Sequence, residues 1–209
     1  MLSRMLFDRA ASRCFVEKMK VLPVFLLLCG LVAVGAALPG TARAGDCPPP
    51  PDHSEALTRL IGEIRDAPDE RSGQAVSNRM WALWTDAPDA YAQELLNEGM
   101  TRREAYDFAG AIKAFDALVA YCPDYAEGYN QRAFINFIRE DYEAALPDLE
   151  RAIDLSPHHV GALSGQALTL LALERVPEAV LALRGALDLN PWLSERHLLP
   201  ALEAQEDAL

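Results

Sequence analysis

Apolar residues in the C-terminal half of the chain return at a helical spacing. Ala111, Phe115 and Leu118 stand at i, i+4 and i+7, and Ala145, Leu149, Ala152 and then Ala179, Leu183, Ala186 repeat the triple. That spacing lays each triple along one face of an α-helix. It predicts helices over about 108–121, 142–155 and 177–189. Each follows a second helical stretch, about 92–105, 126–139 and 160–173, with a small residue (Gly99, Ala133, Ala167) where the partner helix must come close. Pro123, Pro157 and Pro191 end the pairs, because the residue before a proline is steered out of the α region. Pro177 falls in a first turn, where its missing N–H matters little. Pro147 lies deeper, which predicts a kink or a late helix start there.

Every one of these sets advances by 34 residues. A fixed step of that size is the mark of a stacked repeat. The residues resemble the tetratricopeptide-repeat (TPR) family, with small residues at positions 8, 20 and 27 of the unit, a large apolar residue at 24 and proline at 32. The units are TPR 1 at 92–125, TPR 2 at 126–159 and TPR 3 at 160–193, without an insertion. Leu118 departs from the small residue of position 27. Leu95, Tyr129 and Leu163 stand where the family often has tryptophan. The resemblance implies an all-α fold, a right-handed α-solenoid of antiparallel helix pairs with capping helices.

The flanks are less regular. Segment 54–91 reads as a degenerate TPR-like helix pair, with Ala75, Val76, Met80, Leu83 and Trp84 on one stripe but no small-residue signature. Segment 194–209 reads as a C-terminal capping helix, turning Leu198, Leu199 and Leu202 inward, since solenoid ends need covering. Residues 45–53 are a stiff spacer built on Pro48 to Pro51. Residues 1–44 have the layout of a secretory signal peptide: a basic stretch, an apolar run from Val21 to Leu38, and Ala42-Arg43-Ala44. Cleavage is expected between Ala44 and Gly45, giving a periplasmic or secreted protein without a membrane segment; an uncleaved anchor is the second reading. Met19 serves as a start as well as Met1.

Charge narrows the partners. The formal net charge is -12, and the residues after Ala44 hold 13 basic against 29 acidic groups, with Lys113 their only lysine. Such a surface repels nucleic acid and anionic lipid. No residue set reads as catalytic, so no enzyme activity is expected. Gly161 to Gly165 lack the spacing of a nucleophile elbow, and no spacing gathers imidazoles and carboxylates for a metal. His158 and His159 read as surface residues at a repeat junction. No cofactor or metal is expected.

The resemblance also locates a binding surface. The first-helix positions at which some family members clamp a terminal carboxylate are Leu96, Met100, Gln131, Gly161 and Gly165, none of them charged. The groove positions instead give an apolar centre: Leu96, Met100 and Arg103, then Asn130, Phe134 and Phe137, then Leu168 and Leu171, with Glu127 on an acidic rim. This implies a non-catalytic, protein-binding scaffold of the cell envelope that holds a peptide or partner protein. The alternative is a structural solenoid whose groove is self-occupied and which acts through its outer surface or by dimerising. Cys47 and Cys122 are the cysteines left after the leader, and an oxidising compartment favours their pairing over free thiols or an intermolecular link.

Overall fold

A computed structural model describes residues 47–206, so the signal peptide expected over 1–44 and the cleavage expected between Ala44 and Gly45 lie outside the described residues. The described chain forms nine α-helices and one 3-10 helix, with no strand. They are α1 (Ser54–Arg65), α2 (Glu70–Trp84), α3 (Ala90–Glu104), α4 (Phe108–Tyr121), α5 (Ala126–Ile138), α6 (Tyr142–Leu155), α7 (Val160–Ala172), α8 (Val176–Leu189), the 3-10 turn η1 (Ser194–Leu198) and α9 (Leu199–Glu206). Helices α3/α4, α5/α6 and α7/α8 pack as antiparallel pairs, and each pair stacks on the next.

Local chemistry sets these boundaries. Asp69, Asp89, Asp107 and Asp141 each accept a backbone N–H three residues on, capping α2, α3, α4 and α6. Those N–H groups are the main reason the carboxyls of Asp69, Asp89 and Asp107 are held below the ordinary aspartate range. The first helix of each repeat ends on a left-handed residue: Tyr106, Glu140 and Glu174, at φ of 60, 61 and 59°. The N–H groups of Tyr106 and Asp107 turn back to the carbonyls of Arg103 and Arg102, and Glu140/Asp141 and Glu174/Arg175 repeat the pattern.

Helix α6 starts at Tyr142 and runs through Pro147, so the helix start is not delayed. The proline ring faces solvent, where water can satisfy the carbonyl it leaves unpaired.

Ala111, Ala145 and Ala179 are fully buried between the helices of their pairs, as are Phe115 and, nearly, Leu149 and Leu183. Gly99 shows the tolerance of this contact: a Cβ there would lie 2.3 Å from the Phe115 ring. TPR 2 and TPR 3 carry Ala133 and Ala167 at that place, facing leucine. The aromatic ring of TPR 1 occupies the room of the missing methyl.

The N-terminal pair departs from the cap expected of 54–91. Helix α2 barely touches α3 and does not continue the stack. Leu57, Leu60, Ile61 and Ile64 of α1 bury with Met80 and Val160, against Leu189, Trp192 and Leu193 at the far end of the chain. Trp192 lies on Gly73 and donates its indole N–H to the Ile64 carbonyl at 3.1 Å; Asn190 donates to Ser77 Oγ at 3.1 Å. The pair therefore lies across the repeat junctions. No glycine or alanine series on α2 admits α3, whereas Trp192 offers a large apolar face.

At the other end the capping segment begins as η1 before becoming helical, and Leu202 buries beside Val180 and Leu183 with Leu198 and Leu199 around it. The structure joins Cys47 to Cys122, their Cα atoms 5.2 Å apart across 75 residues. The bond fastens the proline spacer at the end of α4.

Candidate interaction groove

The first helices α3, α5 and α7 lie side by side and form one face of the stack. A cavity of about 460 Å³ opens on it. Its floor is α5 and α7: Asn130, Phe134, Phe137, Ser164 and Leu168, with Arg103 of α3 at one side. Gly165 keeps this floor low, since a Cβ there would stand 3.0 Å from Leu149, itself part of the lining. Trp81 of α2 and Glu195 of η1 complete the wall.

The structure brings together five of the eight groove residues implied by the resemblance: Arg103, Asn130, Phe134, Phe137 and Leu168. The other three are used elsewhere. Leu96 is fully buried with Phe115 and Ile135, and Met100 packs against the same cluster. Leu171 packs with Val180 and Leu183, beside the Leu198 and Leu199 of the C-terminal segment. In each case an apolar side chain is drawn into the interhelix core because neighbouring large residues bury it more completely than the groove would.

Phe134 and Phe137 differ in role. Phe134 is 46% exposed and carries the Arg103 guanidinium over its ring at 5.3 Å. Phe137 is half-buried, with one side against the core of TPR 2 and its ring 5.4 Å from that of Tyr142.

Beneath the floor lies a polar cluster. Glu127, expected on an exposed acidic rim, is 1% exposed, and His159, expected on the surface, is completely buried. Glu127 accepts from Gln131 at 2.6 Å, Asn130 at 3.0 Å and His159 Nε2 at 2.8 Å. The Ala162 N–H points at His159 Nδ1 at 3.2 Å, so Nδ1 is the acceptor and Nε2 carries the proton given to Glu127. Trp84 stacks on the imidazole, centroids 4.4 Å apart. Gln131 passes the network outward, accepting from Arg103 Nη1 at 2.7 Å. Three donors offset part of the cost of burying this carboxylate and fix the side chains above it.

A neighbouring tie holds TPR 2 to TPR 1: Arg132 grips Asp148 through two hydrogen bonds of 2.7 and 2.6 Å and reaches Asp116 at 2.8 Å, and these bonds push its pKa further up. Burial likewise raises the Tyr125 phenol, which donates to the Trp84 carbonyl at 2.7 Å.

Trp81, Glu195 and His159 escaped the sequence reading. Two belong to the non-repeating flanks, where no period assigns a face. His159 had one available signal, its place as the residue before α7, where a side-chain acceptor caps a helix. Among the described residues no group of His, Cys, Asp and Glu could hold a metal ion, and no helix is long and apolar enough to cross a membrane.

The class that these features define is an α-solenoid of stacked helix pairs with an apolar groove on its first-helix face. Residues 137–191 match the tetratricopeptide repeat model. A TPR repeat-containing protein of Rhizobium etli is 29% identical over 152 residues, covering 68% of this chain and 74% of its own. The tetratricopeptide repeat protein 36 homolog of Nematostella vectensis is 41% identical over 76 residues, 36% of this chain; the chain spans only 41% of that relative's length. The first TPR of Spaghetti, bound to an HSP90 peptide, superposes with a TM-score of 0.54 at 22% identity, covering 56% of this chain and 94% of its own. Fold and matches together support the TPR family for this chain.

Proposed function

We propose that the protein is a non-catalytic scaffold that holds an apolar peptide segment of a partner protein in the groove between α5 and α7. The observation that carries this reading is Phe134, a large aromatic left 46% exposed at the centre of an apolar cavity. Aromatic anchors in the middle of a concave face supply a large share of an interface's energy. Peptide binding by TPR proteins of the same fold, the HSP90 peptide on Spaghetti among them, supports the same class of partner.

The rival reading, a self-occupied groove, has partial support of its own: Trp81 and Glu195 cover one side of the cavity. They leave Phe134 open. We place the protein in the cell envelope, a reading supported by the leader pattern of residues 1–44 and by a cysteine pair that suits an oxidising compartment.

Phe134→Ala tests the groove. It should lower affinity for a bound peptide by about tenfold or more while shifting the melting temperature little, because the side chain is only half covered in the free protein. A large fall in melting temperature with unchanged peptide affinity would return Phe134 to the core and leave the self-occupied solenoid.

A further inference from the structure

Among the described residues no carboxylate forms an ion pair with Arg103. Its neighbour Arg102 pairs with Glu98 and Asp107, Arg132 with Asp148 and Asp116, Arg151 with Asp124, and Arg175 with Glu178. Arg103 is part-buried on the groove, yet its hydrogen bond goes to the neutral amide of Gln131 and its guanidinium carbon lies over the Phe134 ring. In a chain of net charge -12, acid is not scarce.

Two consequences follow. A guanidinium has five N–H donors, and Gln131 engages Nη1, so a donor edge remains for a two-pronged carboxylate contact. The side chain is also held in place, because Gln131 is anchored to a Glu127 that Asn130 and His159 already saturate. A donor fixed before binding loses little freedom when its ligand arrives.

Selection against the wrong ligand is stronger still. Any segment that covers Phe134 also covers the guanidinium 5.3 Å from its ring centre. A purely apolar segment would strip water from that cation and give it nothing in return, a substantial penalty.

We propose that Arg103 receives a carboxylate side chain of the bound segment, so that the partner carries an Asp or Glu next to the apolar residues that fill the Phe134, Phe137 and Leu168 floor. This rests on the groove reading and names its ligand class. Among the described residues that line the cavity Arg103 is the one cation, and the acid is assigned to a side chain within the segment, with fused and free chain ends compared to separate it from a terminus.

The test is selection from two displayed libraries of random peptides, one with both ends fused and one with free C-termini, against wild type, Arg103→Gln and Arg103→Glu. Circular dichroism checks that the variants fold. Wild type should enrich fused-end peptides with Asp or Glu beside apolar residues. Arg103→Gln should weaken a selected acidic peptide on the order of tenfold to a hundredfold and leave its amide analogue unchanged. Arg103→Glu should exchange the acidic preference for Lys or Arg while keeping the apolar positions. Apolar peptides enriched without an acid, or an acid preference indifferent to position 103, would overturn the proposal and leave the groove reading standing. Enrichment confined to free C-termini would overturn it in favour of a chain end. No enrichment in either library would remove the groove reading as well.

Discussion

The three repeats and the N-terminal helix pair are both helical hairpins, but they are held by different kinds of contact. In the repeats each contact recurs: Ala111, Ala145 and Ala179 are all fully buried, and Tyr106, Glu140 and Glu174 all close a first helix in the left-handed region. Residues 54–84 have no such series. They are fixed by single events at long range, with Trp192 on Gly73, Arg65 Nε donating to the Asp188 carbonyl at 2.7 Å, and Arg196 reaching Glu70 at 3.0 Å. A periodic contact is supported by its neighbours, so weakening one unit leaves the others intact. A singular contact has no duplicate.

The greatest expected loss falls where the two regions meet. His159→Ala removes the face on which Trp84 stacks, the cap of α7 and one of three donors to buried Glu127. Losing a hydrogen bond to a buried carboxylate costs roughly 1.5 to 3 kcal/mol, losing a helix cap about 1 kcal/mol more, and the cavity left by the ring adds to both. Urea unfolding measures the loss, and hydrogen exchange should show α1 and α2 opening before α5 and α6. A loss under about 1 kcal/mol, or uniform opening, would erase the distinction between the regions. Reduction of the Cys47–Cys122 bond comes next. By the loop-entropy model, closing a loop across 75 residues stabilises by up to about 4 kcal/mol. Melting curves with and without reductant test it, and identical curves would show that the spacer is held by packing alone.

This contrast also explains what could be read in advance. The 34-residue step exposes the second-helix stripes, the junction prolines and the small residues, because every unit must solve the same packing problem. Of the groove, Phe134, Phe137, Leu168, Asn130 and Arg103 were legible from their place in the unit. Leu96 holds the unit position of Asn130 and Leu171 that of Arg103 and Phe137, but Ile135 and the C-terminal leucines draw them inward, and no repeat position encodes what lies beyond the unit. The burial of Glu127 and His159 was hidden for a similar reason. Their partners include Trp84, whose approach depends on a helix pair that obeys no period.

A smaller effect tests whether the repeats are as equivalent as their spacing implies. Gly99→Ala should destabilise TPR 1 by about 1 to 3 kcal/mol, because the methyl would meet the buried Phe115 ring. Adding Phe115→Leu copies TPR 2 and TPR 3 and should restore most of the loss. A double-mutant cycle gives the coupling directly. Additive losses would mean that the ring does not stand in for the methyl.

The smallest effect separates the regions by sign. Tyr106, Glu140 and Glu174 hold φ near 60°, where a Cβ crowds the following carbonyl and glycine does not. Glu140→Gly and Glu174→Gly should therefore stabilise by about 0.5 to 1 kcal/mol each, after allowing for the extra freedom glycine gives the unfolded chain. Tyr106→Gly should gain less, since its ring also meets Phe108 at 6.1 Å. Ala67, just past the end of α1, is not among the left-handed residues. There the unfolded-state term acts alone, and Ala67→Gly should destabilise by about 0.5 to 1 kcal/mol. Urea midpoints at constant m-value resolve the four variants. Losses at Glu140 and Glu174 would show that their side chains contribute more than strain removes. A gain at Ala67 would give the N-terminal pair the same kind of helix end as the repeats, and the contrast between the regions would then rest on long-range contacts alone.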